Sequence, residues 1–360
     1  MQMDTEERLK LVKSVGEEII TESELRKLLQ TKKELIAYDG FEPSGQMHIA
    51  QGLLRAININ RMIKAGCRFK MLVADWHAWA NNKLSGDLEK IQTVGRYFIE
   101  TWKACGMDLS NVDFVWANDL VVSRDYWKKV MNIARLSTVK RMMRCGQIMG
   151  RNESETLSVA QILYPCMQCA DIFELKADIC QLGMDQRKVN VLARELAPQL
   201  GYEKPLVVSH HMLMGLGKPA TDVKDAVERA IDLKMSKSRP DSAIFMTDSE
   251  ADIKRKMQNA YCPEKQISEN PVLEYAKYIV FACLDRLEIK RPEKFGGSMQ
   301  FEGYEELERA YAAGDLHPLD LKNAVASAIN ELLKPVREHF ENNADAKGLF
   351  EKVKGFRVTR

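Results

Sequence analysis

Glu34-Leu-Ile-Ala-Tyr38, followed at once by Asp39-Gly40-Phe41-Glu42-Pro43-Ser44-Gly45, is the stretch that decides the fold. The first five residues are a short apolar run of the kind that forms a buried strand. The next seven are turn-rich and feed a helix expected from about Met47 to Lys64, on which Ile49, Leu53, Ala56, Ile57 and Ile63 fall at roughly helical spacing. Gly66 can terminate that helix. Strand, glycine-bearing turn and helix N-terminus together make the ordinary phosphate-binding layout of a doubly wound sheet.

The pattern repeats outward. Two helices are expected before Glu34, the second opening at a capping box of Thr21 with Glu24. Downstream, Phe69 to Ala74 reads as a second strand, Asp87 to Cys105 as a helix capped by Gly106, and Val112 to Trp116 as a third strand. A helix after Thr156, another opened by Gln181-Leu-Gly-Met-Asp-Gln-Arg187 and ended by Gly201, and a strand at Leu206-Val-Val-Ser209 complete the alternation. Strands alternating with helices through residue 209 predict a parallel α/β sheet. From Ser249 no strand pattern is visible: Ser249–Ala260, Pro271–Leu287, Glu302–Ala313 and Pro318–Phe340 read as helices, the last kinked or split at Pro335. The expected organisation is therefore a Rossmann-like doubly wound domain over residues 1–264, then an all-helical domain over 265–360. No internal repeat or low-complexity tract interrupts it.

Composition narrows the class. In 360 residues, 45% hydrophobic and 29% charged content is that of a globular protein. No apolar run approaches about 20 residues, so no membrane span is expected. The acidic, polar start from Met1 to Lys10 does not resemble a secretory signal, and a cytoplasmic location is expected. The eight cysteines lack framework spacing and read as reduced thiols, and the one CxxC, Cys166 with Cys169, has no second pair to complete a zinc site. No metal site is expected. Net charge is only +2, but Leu120 to Arg151 carries Arg124, Lys128, Lys129, Arg135, Lys140, Arg141, Arg144 and Arg151 against the single acid Asp125. A net +7 over 32 residues is what contact with phosphates needs, although a solvated helical face gives the same count.

Two further constellations carry chemistry. Lys234-Met-Ser236-Lys237-Ser238 places two ammoniums and two hydroxyls in five residues, before Arg239-Pro240, which favours a loop. Such a loop can neutralise a polyphosphate as charge builds up, and the competing reading is a solvated basic turn. Tyr164, Gln168 and Asp171 share one helix face among Ile162, Leu163, Met167 and Ile172, and buried polar groups need partners, of which a polar ligand is one.

His48-Ile49-Ala50-Gln51 and Lys234–Ser238 resemble the HIGH and KMSKS signatures of the class I aminoacyl-tRNA synthetases, which together hold ATP. Ala50 and Gln51 depart from the first signature: Ala is still small enough for adenine to approach the backbone, and the contact of the second His passes to Gln51 or is lost. Tyr38, Tyr164, Gln168, Asp171 and Gln186, with Gly183-Met-Asp185-Gln-Arg, are similar in type and spacing to the amino-acid pocket of the archaeal and eukaryotic tyrosyl-tRNA synthetases. That resemblance implies that Tyr38 and Asp171 hold the phenol hydroxyl of L-tyrosine, that Tyr164, Gln168 and Gln186 hold its ammonium and carboxylate side, and that Ala74 and His77 line the pocket. It implies ATP contacts from Gly45, His48, Gln51, Gly183, Asp185, Lys234, Ser236 and Lys237, with Gly183 and Asp185 at the ribose and with His48, Lys234 and Lys237 catalytic. ATP enters as a substrate with Mg2+ on its phosphates, with no tightly bound cofactor.

The resemblance also implies tRNA(Tyr) as partner, with Phe295 stacking on the first anticodon base and Asp320 bonding its edge. It implies a homodimer built through a connective insertion, here about residues 120–155. From Cys262 to Arg360 there are 15 basic and 17 acidic residues, so charge adds nothing to the RNA reading there. Lys218 to Asp232 looks like an insertion. The sibling tryptophanyl enzyme shares the fold and signatures, but an indole offers one donor and no hydroxyl to Tyr38 and Asp171. A non-catalytic RNA-binding paralogue should have lost signature lysines or pocket polar groups, and all are present. The lysine loop yields a direct test. Lys237→Ala should slow adenylate formation by roughly 10²- to 10³-fold, the scale of losing one strong stabiliser of developing charge. Tyrosine affinity should hold, as read by pre-steady-state kinetics.

Overall fold

The computed structural model describes residues 3–150, 156–219, 229, 233, 235 and 240–357. Six strands, β1 (Gly16–Ile20), β2 (Leu35–Phe41), β3 (Cys67–Val73), β4 (Val112–Trp116), β5 (Ile179–Cys180) and β6 (Leu206–His210), form one sheet in the order β1-β6-β5-β2-β3-β4. All neighbours are parallel except β1, which runs antiparallel to β6 at the edge. β2 is central and pairs with β3 along its whole length, Leu35 facing Cys67 and Phe41 facing Val73. It is apolar on both faces because helices cover both, as parallel sheets require.

The pleat of β2 sorts its side chains. Leu35, Ala37 and Phe41 enter an apolar cluster with Leu9, Leu54, Phe98 and Trp102. Tyr38 enters a second cluster with Tyr126, Tyr164, Cys180 and Leu192. The helices Leu53–Lys64 and Leu88–Ala104 serve the first, and Val159–Glu174 and Arg187–Leu200 serve the second. Gly201 closes the last of these at φ +74°, a conformation that suits glycine. Val272, Leu307, Leu321, Ile329 and Phe340 from the C-terminal region belong to the first cluster, so one continuous core runs from the sheet into the following helices.

Several expectations need correction. The opening helices Thr5–Val15 and Glu22–Thr31 are separated by β1, whose Glu17 and Glu18 hide its strand character. β5 is only two residues long, too short for any periodicity. The helix expected from Met47 begins at Leu53, because the backbone of Met47 and Ile49 is committed elsewhere. The C-terminal region is helical apart from an antiparallel ribbon of β7 (Leu287–Ile289) and β8 (Met299–Phe301). The helix Pro318–Asn342 is not split at Pro335: Arg337 Nη2 reaches across the proline to Asn330 O (3.1 Å) and Asn330 Oδ1 (2.7 Å), while Leu333 and Val336 stay buried. Most of Lys218–Asp232, Arg151, and Lys234, Ser236, Lys237 and Ser238 lie outside the described residues.

His211, just past β6, joins the sheet edge to the C-terminal region. Its Nε2 lies 3.1 Å from Glu274 Oε2, its Nδ1 lies 3.4 Å from Glu17 Oε2 on β1, and its ring stacks on Tyr278 at 4.2 Å. Burial disfavours its charge, but the two carboxylates outweigh burial and raise its pKa to about 9. A folded pKa above the unfolded value gives stability that is complete below about 6.5 and lost as pH rises through about 9. Denaturant unfolding of the wild type should therefore lose on the order of 2 kcal/mol across that window relative to His211→Gln. Parallel pH profiles for the two proteins would contradict the linkage.

Candidate active site

The C-terminal ends of β2, β5 and β6 and the segments that leave them converge on one side of the sheet. After Tyr38 and Asp39 the chain turns through Glu42-Pro43-Ser44-Gly45, with Gly45 at φ +134°, which disfavours any side chain. It then runs through Met47–Gly52 against residues 244–246: Ile49 N donates to Ile244 O (2.8 Å), Met246 N donates to Met47 O (2.9 Å), and His48 faces Phe245 in an antiparallel bridge. Gly52 packs closely here: a Cβ would sit 2.4 Å from Met246 Sδ and would displace that side chain. Trp102 Nε1 holds Gln51 O at 2.9 Å, and Gln51 Oε1 is shielded without a hydrogen-bond partner among the described residues.

This stitching brings the two separated sequence signatures to one place. Residues 244–246 follow the lysine loop directly, and the buried Lys256 secures them by donating to Ala243 O (2.9 Å) and Asp248 Oδ2 (2.6 Å). Met235, inside the signature pentapeptide, is buried against the Tyr275 hydroxyl, and Gly215 N donates to Leu233 O at 2.7 Å. The loop is thus anchored on both sides, and the segment that follows it lies beside His48.

The pocket expected for an amino acid lies on the face to which Tyr38 points. Asp171, fully buried on the helix Val159–Glu174, accepts from the Tyr126 hydroxyl at Oδ1 (2.8 Å), and His77 Nε2 stands 2.9 Å from Oδ2. Burial opposes charge on His77, but Asp171 more than compensates, and the imidazole pKa is raised. Tyr38 is pushed well up by burial first and then by the Asp171 charge, so its hydroxyl stays protonated near that carboxylate. Tyr164 meets the His77 ring edge-on at 5.0 Å, and burial together with Glu42 raises its phenol pKa as well. Gln168 Nε2 donates to Gln186 Oε1 (3.1 Å), and Gln186 Nε2 to Ile148 O (3.1 Å), so these two amides form one wall. Ala74 ends β3, its N–H bonded to Phe41 O at 2.9 Å, and starts the short helix that carries His77.

Tyr38, Ala74, His77, Tyr164, Gln168, Asp171 and Gln186 thus come together, and the structure adds two residues that sequence reasoning misses. Tyr126 reads in the sequence as apolar surface of the basic region, and only the packing of the helix Arg124–Arg135 on Val159–Glu174 turns its hydroxyl inward. Glu42 reads as part of a turn, yet it accepts from the fully buried Asn81 at 3.0 and 3.1 Å beside Tyr164. Nothing in local spacing marks either one.

Beyond β5, Gly183 bridges His210 in parallel register and begins the turn Met184–Gln186, whose closing N–H of Gln186 bonds Gly183 O at 2.9 Å. A Cβ at Gly183 would lie 2.7 Å from Asp185 Oδ1. Asp39 is raised to about 7 by burial, against which Arg55 pulls at 3.0 Å.

In the C-terminal region, Phe295 ends the turn Glu293–Phe295, with its side chain outside the described residues, and Asp320 sits in the first turn of Pro318–Asn342. Arg291 links these segments by donating to Gly297 O (2.7 Å) and Asp315 O (2.8 Å).

The model of the family described as tRNA synthetases class I (W and Y) matches residues 30–334. The chain is 52% identical over 363 residues to a protein named "Tyrosine--tRNA ligase 1, cytoplasmic" from Arabidopsis thaliana, covering 100% of this chain and 91% of that one. Among solved structures it matches a tyrosyl-tRNA synthetase of Pyrococcus horikoshii complexed with L-tyrosine at TM-score 0.90 and 40% identity, covering 97% of this chain and 100% of that one. It also matches the Leishmania major tyrosyl-tRNA synthetase in complex with tyrosinol at TM-score 0.90 and 46% identity, where all of this chain spans only 62% of the other. With a sheet of this order, a pocket on its Tyr38 face and a family match over most of its length, the chain belongs to the class I tRNA synthetases of the W and Y family.

Proposed function

We propose that the chain is a tyrosine–tRNA ligase, activating L-tyrosine with ATP and transferring it to the 3′ end of tRNA(Tyr). The observation that carries the reading is Asp171, a fully buried carboxylate beside the Tyr38, Tyr126 and His77 groups. A buried carboxyl group with surplus acceptor capacity is costly unless a donor completes it, and the phenol hydroxyl of tyrosine is such a donor. Phenylalanine would leave the set unpaired, which rejects it strongly; the tyrosyl enzymes are the established example of such discrimination, at about 10⁵ without editing. An indole carries no hydroxyl, which sets the tryptophanyl reading behind.

The tyrosine carboxylate attacks the α-phosphorus of ATP, the bond to the β-phosphate oxygen breaks, and pyrophosphate departs. A ribose hydroxyl of the tRNA then attacks the tyrosyl carbonyl of the adenylate, the bond to the phosphate oxygen breaks, and AMP leaves. No enzyme group is bonded covalently, so positioning and electrostatics carry catalysis. Gln168, Gln186 and Tyr164 orient the amino acid, Gly45, His48, Gln51, Gly183 and Asp185 receive ATP, and Lys234, Ser236 and Lys237 close on its phosphates, with Mg2+ entering on them as part of the substrate. Residues 1–264 form the catalytic part and 265–360 the anticodon-binding part, where Phe295 and Asp320 read the anticodon. The Arabidopsis relative is named cytoplasmic, and the same location is proposed here.

Dimerisation rests on a separate observation. Val122, Met131, Leu136, Val139 and Met143, in or near the expected connective insertion, and Val159 just beyond it are 38–82% exposed. A run of large apolar side chains in water marks an association surface, here with a second copy. Arg124, Lys128, Arg135, Lys140 and Arg144 are exposed beside them, whereas Lys129 is paired with Glu174 and Arg141 with Glu195. The exposed cations suit the tRNA acceptor arm.

Two measurements test the reading. ATP–pyrophosphate exchange across the amino acids should be specific for tyrosine, and Asp171→Ala should weaken tyrosine activation by about 2–4 kcal/mol with ATP affinity little changed. Normal activation by that variant would refute the pocket. Lys140→Gln with Arg144→Gln should reduce aminoacylation and flatten its salt dependence while sparing adenylate formation. Equal losses in both half-reactions would make the stretch structural.

A further inference from the structure

Beneath the turn Gly183–Gln186 lies a buried polar bracket that the pocket chemistry does not use. Arg55, 8% exposed on the helix after β2, places Nη1 3.0 Å from Asp39 Oδ2 at the end of β2 and 2.7 Å from His210 Nδ1 at the end of β6. Gln181, fully buried after β5, reaches the same Nδ1 at 2.6 Å. The guanidinium thereby ties the ends of β2 and β6, and the imidazole ties the residue after β5 to them. Arg55 Nη1 also faces His210 Nε2, and because an arginine only donates, the imidazole acts toward it as an acceptor; burial and the Arg55 charge both hold the His210 pKa far below the usual range, so the ring is neutral.

The bracket leads directly to the nucleotide side. His210 N donates to Leu182 O at 2.9 Å, and His210 pairs with Gly183 in parallel register. A Cβ on Gly183 would stand 3.5 Å from His210 Nε2 and 2.7 Å from Asp185 Oδ1, so the imidazole, the bare Cα of Gly183 and the Asp185 carboxylate are packed side by side. Asp185 also lies within electrostatic reach of Arg55 and Asp39. Taking an ion pair out of water is costly, and a hydrophobic pair of the same size is often as stable. Stability alone therefore does not account for a guanidinium here, whereas rigid placement of a turn does.

We propose that Arg55, held by Asp39, is a positioning residue for ATP: acting through His210, it fixes the Gly183–Asp185 turn at the distance from which that turn reads the ribose. The proposal rests on the tyrosine-ligase reading above. It assigns the bracket to the nucleotide and leaves the phenol side of the amino acid to the pocket around Asp171.

The test is ATP–pyrophosphate exchange with the full chain, varying ATP and tyrosine separately, together with calorimetric tyrosine binding. Arg55→Lys keeps a cation but cannot span both partners, His210→Phe keeps a ring without an acceptor, and His210→Gln restores an acceptor. Arg55→Lys and His210→Phe should each raise KM for ATP at least tenfold while KM and Kd for tyrosine stay within twofold, and His210→Gln should regain most of the loss. Unchanged KM for ATP in both variants overturns the proposal, as does an equal rise for both substrates in the His210 pair. Should Arg55→Lys lose tyrosine binding altogether, the His210 pair decides alone. A wild-type chain that supports no exchange with tyrosine refutes the ligase reading itself, a result distinct from any of these.

Discussion

Two backbone hydrogen bonds, Ile49 N to Ile244 O and Met246 N to Met47 O, bear on everything else at the site. They join a segment that leaves the first central strand to one that follows the last, almost two hundred residues away in sequence. The seam excludes a regular helix from Met47 to Gly52, packs Gly52 against Met246, and places the segment that follows the lysine loop beside His48. Local helix propensity yields here to a tertiary constraint.

Environment then divides the carboxylates. Asp171 has Tyr126 and His77 within hydrogen-bonding distance, a donor-rich setting with room for one more donor. Asp39, equally buried, has Arg55 and its own neighbour's N–H, yet burial still lifts it to about 7. Identical side chains on the two faces of one sheet are thus given different duties by what surrounds them.

Much of this is legible in the sequence, and the exceptions have physical reasons. β2 and β6 are visible because interior strands are continuous apolar runs, and β4, although at the sheet edge, keeps enough of Val, Phe and Trp to be expected at its observed bounds. β1 is hidden because an edge strand needs only one apolar face and its glutamates look helical, and β5 because two residues carry no period. Tyr164, Gln168 and Asp171 stand out through their spacing on one helix, a local property. Tyr126, Glu42 and Arg55 do not, because each acquires its role only when distant elements pack together. Pro335 misleads for a related reason: the missing N–H is real, but a bridging arginine and a buried face hold the helix as one element.

The alternation along β2 has an outcome of its own. Tyr38 and Asp39 are consecutive, so the pleat must send them to opposite sides, one towards the aromatic pocket and the other towards Arg55. A single inserted or deleted residue within Leu35–Phe41 would exchange the two addresses, burying a carboxylate among aromatic rings and a phenol against a guanidinium. The seven-residue pairing with β3 is therefore a reading frame in the literal sense. It can tolerate changes of residue type at many positions, but none of count.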